Sequence, residues 1–192
     1  MLVGKTVSLR PVESGDAELI HRWSNDPQMI DGAASRWPVR RTEIQERCQK
    51  KPNHDKGGEF LVLAHDSAGS ANEGVIVGQI SFGLPSRMPM LRCYEIGFAV
   101  APEYRRKGYA AMAGRLLVNK LFSATQTNRI QAHCRADNAA SKAVMESIGM
   151  KAEGVLRGYA YVGGLYVDVL ICSILRAEWG DSQVYGKRFD GL

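Results

Sequence analysis

Cysteine is scarce in this chain and scattered. Cys48, Cys93, Cys134 and Cys172 are the only four, and no two of them form a CxxC pair. The four histidines, His21, His54, His65 and His133, are equally dispersed, so no metal-ligand spacing appears. No apolar run approaches the roughly 18 residues a membrane span requires. The first residues, Met-Leu-Val-Gly-Lys-Thr, carry no apolar export signal. These absences give the expectation of a cytoplasmic protein with reduced, partly buried thiols and no membrane partner. Long basic stripes are missing too. The net charge is +5, but its positives are spread from Arg36 to Arg188 without aromatic interleaving, which disfavours nucleic acid as the main partner. No internal repeat or low-complexity segment is visible.

What is present suits one folded domain. At 192 residues, 45% apolar and 23% charged, the chain can bury a core without covalent staples. The expected domain spans residues 1–180, with 181–192 as a loosely attached tail lacking any period. The most informative stretch is 94–110. Alternation puts Tyr94, Ile96, Phe98 and Val100 on one face of a strand, and Glu95, Gly97 and Ala99 on the other. Pro102 ends that strand, Arg105, Arg106 and Lys107 lead into Gly108, and a helical pattern runs to about Phe122. A helix start collects unpaired N–H groups and the positive end of the dipole, which suits an anion. Gly108 allows the anion to approach the backbone, so a diphosphate at this turn is the primary functional reading.

Other elements follow from local pattern. A first strand over 6–12 should end, or lie at an edge, at Pro11. Helices are expected from Asp16 to near Asp26-Pro27, and after Thr42, which with Gln45 reads as a capping box. Residues 59–64 and 74–82 read as antiparallel strands with a loose connection, and 129–134 as a further strand. Asp137-Asn138 can cap a helix closed by Gly149. Residues 152–162 and 165–175 flank Gly163-Gly164, a short-hairpin signal. The order β α α β β β α β α β β implies one parallel pair, where the central strand crosses through its helix to the next.

With these residues in view, the chain resembles the GNAT superfamily of N-acetyltransferases, and within it the ribosomal-protein-alanine N-acetyltransferase branch. Leu9-Arg-Pro-Val with Asp16 and Trp23-Ser-Asn-Asp-Pro27 is similar to that branch's opening. Glu95-Ile-Gly-Phe98, Pro102 and Arg105-Arg-Lys-Gly-Tyr-Ala110 fit the acyl-CoA signature. Asn138, Ser141 and Ile148-Gly-Met150 resemble the second cofactor motif, with Met150 where Phe is usual. Asp168 to Leu175, followed by Glu178-Trp179, resembles the final strand and its exit. The resemblance implies an α/β (α+β) fold: a mixed, mostly antiparallel twisted sheet of about seven strands flanked by about four helices.

The resemblance also implies roles. Arg105, Arg106, Lys107, Gly108, Tyr109 and Ala110 would wrap the acetyl-CoA pyrophosphate, mainly through backbone N–H groups. Phe98, Ala99 and Val100 would lie along the pantetheine arm, with backbone groups of Phe98 and Val100 pairing as an added strand would. Asn138 would bond the same arm, cap its helix, or do both. Glu95 would be the general base, its pKa raised by partial burial; the alternative is an exposed strand carboxylate. Ser141 would protonate the departing thiolate, since Met145 stands where many members carry Tyr; a surface or capping serine is the alternative. Trp37, Arg36, Tyr166 and Asp168 are weaker candidates for lining the acceptor pocket. No metal is expected. The implied acceptor is an amine: a protein N-terminus, or a small amine such as an antibiotic or polyamine. A non-catalytic acyl-CoA-binding module remains the alternative of another class, and a homodimer is compatible.

Overall fold

The computed structural model describes residues 1–29, 37–50, 53, 56–65, 74–85 and 93–179. Eight strands form one sheet: β1 (Leu2–Val3), β2 (Val7–Pro11), β3 (Gly57–Ala64), β4 (Val75–Gly83), β5 (Cys93–Val100), β6 (Arg129–Arg135), β7 (Lys151–Val162) and β8 (Leu165–Leu175). Their spatial order is β1-β2-β3-β4-β5-β6-β8-β7, antiparallel except between β5 and β6. Helices α1 (Ala17–Ser24), α2 (Arg41–Gln49), α3 (Tyr109–Ala124) and α4 (Ala139–Ile148) cover it. Among the described residues no helix is long and apolar enough to cross a membrane.

The two faces of the sheet carry different helices, and β3 shows why. Its continuous apolar run alternates, Phe60 and Val62 entering the core beneath α3 and α4, Leu61 and Leu63 entering a second core with Ile20, Trp23 and Ile44 of α1 and α2. A strand buried on both faces loses the polar alternation of a half-exposed one. β5 follows its expected alternation, with Tyr94 and Ile96 in the first core and Ala99 against the second. The parallel β5–β6 pair arises because α3 carries the chain back over the sheet before β6 begins.

Several expectations change in detail. Residues 2–3 form a strand too short to show any period, held beside β2 by the pairs Leu2–Leu9 and Val3–Ser8. Thr42 lies inside α2, whose N-cap is Arg40 and has no side-chain cap, so the Thr42–Gln45 capping box does not form. The carboxylate that does serve a helix start is Asp16: its Oδ2 accepts from the Glu13 N–H at 2.7 Å while Arg10 holds both oxygens at 2.8 and 2.9 Å. The β7–β8 hairpin forms as expected, with Gly163 and Gly164 at φ 58° and 89° supplying the left-handed pair of a tight turn. β7 is an outer edge, exposed along most of its length.

The last three strands are clamped by one polar knot. Arg129 on β6 donates two hydrogen bonds of 2.6 Å to Glu153 on β7, and the Ser173 hydroxyl on β8 donates a third to the same carboxylate at 2.6 Å. The Arg129 bonds, then that of Ser173, hold the Glu153 carboxyl down to about 2, from an ordinary 4.5. A depressed acid adds stability that is whole above its ordinary value and is lost as pH falls through the folded one. Because Glu153 is 38% exposed, the discounted size is about 1 kcal/mol. Glu153→Gln should therefore melt lower than wild type at pH 6, with the gap closing between pH 4.5 and 2. Paired thermal melts across that range check it.

Candidate active site

β5 ends at Val100, and the Ala101 N–H donates to the Val77 carbonyl at 2.9 Å. One tight turn over Pro102–Tyr104 then swings the chain toward α3. Arg106 at φ 63° and Gly108 at φ 79° are both left-handed, which folds the backbone into a shallow cup at the helix start. The first bond of α3 runs from the Met112 N–H to the Gly108 carbonyl at 3.1 Å, so the N–H groups of Tyr109, Ala110 and Ala111 have no partner within the helix. The side chains of the basic run divide their work. Arg105 is a strut, donating from Nε to the Val100 carbonyl at 3.1 Å and from its terminal nitrogen to the Gln28 carbonyl. The Lys107 ammonium lies 5.8 Å from the Tyr104 ring centre.

A cavity of 330 Å³ opens beside this cup. β5 contributes Phe98, Ala99 and Val100 to its wall, the turn contributes Arg105, Arg106 and Gly108, and α3 adds Tyr109 and Ala110. Asn138 and Ser141 close it from the start of α4. Lys107 alone of the expected cofactor residues is not on the wall.

The cavity continues into a gap in the sheet. β5 and β6 pair only at Cys93–Arg129, Tyr94–Ile130 and Glu95–Gln131. Beyond Glu95, among the described residues, β5 keeps β4 as its only strand neighbour, and β6 keeps β8. Since Ala101 points its N–H at β4, strand alternation turns the backbone groups of Phe98 and Val100 toward the gap. Arg105 already occupies the Val100 carbonyl, leaving Phe98 as the better-placed main-chain partner for an extended ligand.

The chemical groups stand where the strands part. Glu95 on β5 accepts from the Gln131 amide at 3.1 Å, and its Oε2 lies 3.3 Å from His133 Nδ1. The sequence leads one to expect burial to raise the Glu95 pKa. Instead the carboxyl is held below its usual value, first by the hydrogen bond from His133, against which desolvation works and loses. Asn138 is a helix cap, its Oδ1 accepting from the Ser141 N–H at 2.9 Å, and it also faces the cavity. The site of the missing tyrosine, Met145, is fully buried.

Two further cavities meet at His133. One, of 520 Å³, is walled by Ser141, Gly97, Ser81, Glu59 and Arg47 among others; a larger one of 1080 Å³ holds Glu95, Gln131, Arg135 and Tyr159. His133 lines both, and escaped the sequence reading because lone histidines were weighed only as metal ligands. The available signal was alternation: Arg129, Gln131 and His133 share a polar face in register with Glu95. The weaker acceptor candidates lie off these walls. Trp37 is 81% exposed, Tyr166 packs its ring 5.1 Å from Tyr161, and Asp168 Oδ1 accepts from the Gly158 N–H at 2.8 Å in a β7 bulge. Arg36 and the tail 181–192 lie outside the described residues. Among the described residues no group of His, Cys, Asp and Glu is gathered to hold a metal ion.

A sheet parted at its one parallel pair, with the unpaired N–H groups of a helix start at the mouth of the gap, matches the class of acyl-CoA-dependent transferases. A family model described as acetyltransferase (GNAT) domain matches residues 6–151, and the chain belongs to that family. It is thus an N-acetyltransferase with acetyl-CoA as co-substrate. Among its relatives is the putative ribosomal N-acetyltransferase YdaF of Bacillus subtilis, 35% identical over 121 residues, covering 63% of this chain and 65% of that protein. Two solved structures share the fold. Spermidine N-acetyltransferase from Vibrio cholerae, in complex with CoA and spermine, superposes with a TM-score of 0.79 at 21% identity, over 92% of this chain and 99% of that one. RimL, a ribosomal L7/L12 alpha-N-protein acetyltransferase in complex with coenzyme A, gives 0.74 at 20% identity, over 90% and 96%.

Proposed function

We propose that this enzyme transfers acetyl from acetyl-CoA to the α-amine of a peptide or protein N-terminus. The observation that carries this reading is the charge of the acceptor side. The acidic residues lining the two cavities that meet at His133 are Glu59 and Glu95 among the described residues. Glu59 is paired with Arg47 at 3.3 Å, and Glu95 with Gln131 and His133. Arg47 and Arg135 line the same space. A polyamine, with several ammonium groups, needs unpaired carboxylates, and the described residues of this wall pair both of theirs. A single amine on a neutral or acidic chain fits it, and the connected cavities leave room for residues behind that amine.

The roles follow from position. Backbone N–H groups from Arg106 to Ala111 hold the pyrophosphate, with the helix dipole adding to their pull. Phe98 pairs with the pantetheine arm, which places the thioester where β5 and β6 part. The ammonium gives one proton to the Glu95–His133 pair, and the freed nitrogen attacks the thioester carbonyl. As the C–N bond forms and the C–S bond breaks, the second nitrogen proton leaves with the help of Ser141, and CoA departs as a thiol. The four free cysteines, three of them buried, suit a reducing compartment and support a cytoplasmic location.

A thiol-release assay over an amine panel tests the acceptor. Peptides with a free N-terminus should exceed spermidine by at least about tenfold in kcat/KM, a difference of about 1.4 kcal/mol. Spermidine as the better acceptor would reject this reading. CoA binding by calorimetry without thiol release on any amine would support a binding module instead.

A further inference from the structure

We infer that His133 is the catalytic base and that Glu95 is its positioning residue, a division that rests on the acyl-transfer reading above. The two side chains meet through Glu95 Oε2 and His133 Nδ1, 3.3 Å apart, and the Gln131 amide holds the same Oε2 at 3.1 Å. A carboxylate facing Nδ1 keeps the proton on that nitrogen, which leaves Nε2 with the lone pair. Nε2 has no hydrogen-bond partner among the described residues, and the imidazole retains 24% exposure. Nearness to the donor points the same way. His133 and Ser141 line one cavity, whereas Glu95 lines only the larger cavity beyond it. The group that shares space with the thiol-side hydroxyl is therefore the imidazole.

The carboxylate is also the weaker base on chemical grounds, because its Oε2 is engaged by both neighbours and those bonds strengthen its acidity. The step balances simply. Nε2 takes one proton from the ammonium, the imidazolium that forms is stabilised by Glu95, and the proton passes to solvent after CoA leaves. Among the described residues, the other charged or titratable groups lining the two cavities are Glu59 on β3, Arg47 on α2, Cys134 and Arg135 on β6, and Tyr159 on β7.

Two measurements decide it. In steady-state kinetics His133→Gln should lower kcat about a hundredfold. It should leave the KM for acetyl-CoA unchanged and abolish the acid limb of the kcat/KM profile. Glu95→Gln should cost less, about tenfold, and keep that limb, as a misoriented base would. Loss of the limb in Glu95→Gln with its retention in His133→Gln would overturn the assignment, and so would wild-type kcat in His133→Gln. The second measurement needs no substrate: nitrogen NMR of labelled histidine should show His133 protonated at Nδ1 when neutral, and a mixed tautomer in Glu95→Gln. The Nε2-protonated form in wild type would refute the proposal even if the acceptor were identified correctly. Conversely, a polyamine acceptor would reject the peptide reading and leave the imidazole assignment to these two results. Thermal melts of both variants exclude misfolding as the cause.

Discussion

Gly108→Val should cost about a thousandfold in kcat/KM for acetyl-CoA while the KM for the amine stays near wild type. Two effects combine. Gly108 sits at φ 79°, where a β-branched residue is strained, and the backbone must rotate to relieve it. That rotation turns away the N–H groups that precede the first bond of α3. Losing one or two charge-assisted bonds plus the strain amounts to about 4 kcal/mol, or a thousandfold. The companion Gly108→Ala separates conformation from bulk. Its Cβ would meet only the Met112 terminal methyl, at 3.8 Å, so no clash arises and the loss should be about tenfold. Initial rates at varied acetyl-CoA, beside calorimetric titration with CoA, measure both. Equal affinity in Gly108→Val and wild type would place the pyrophosphate elsewhere.

The largest stability loss should come from Arg176→Ala. Arg176 follows β8, yet its guanidinium closes the far end of α3, donating to the carbonyls of Phe122 at 2.9 Å, Thr125 at 2.6 Å and Thr127 at 2.8 Å. It also lies 5.3 Å from the Phe122 ring centre. A cation at a helix C-terminus meets the negative end of the dipole, and three carbonyls lose their shared donor if it is removed. The expected cost is about 3–5 kcal/mol. At this chain length that lowers Tm by roughly 10–15 °C in a thermal melt. Arg176→Lys should restore only part of it, since an ammonium cannot span three carbonyls in a plane. A fall of under 3 °C, roughly what 1 kcal/mol produces, would show that solvent replaces the guanidinium at little cost.

Much of the site was legible because it is local. Tyr94 to Ala110 is one continuous piece in which alternation defines the strand, Pro102 its end and Gly108 the turn, and the structure sets its second half, from Phe98 onward, along one cavity. The hairpin at Gly163-Gly164 is local in the same way. What escaped depends on partners distant in sequence. The lowered pKa of Glu95 comes first from His133, on a neighbouring strand reached only after α3, and no pattern within β5 announces it. Arg176 lies one residue past the expected strand 165–175, while its work is done at the end of a helix more than fifty residues earlier. Thr42 and Gln45 had cap spacing, yet α2 starts at Arg41, where packing of Ile44 against the second core decides the boundary.

The three rungs between β5 and β6 are the whole backbone pairing between two panels of the sheet, β1–β5 on one side and β6–β8 on the other, among the described residues. A ligand lying in the gap would act as a rivet across them, because it would complete edges that the described strands leave open. Occupancy at a hundred times Kd adds about 2.7 kcal/mol to the folded state. With CoA seated along Phe98, as proposed above, part of that gain would fall on the seam between the panels holding Glu95 and His133, before any amine arrives.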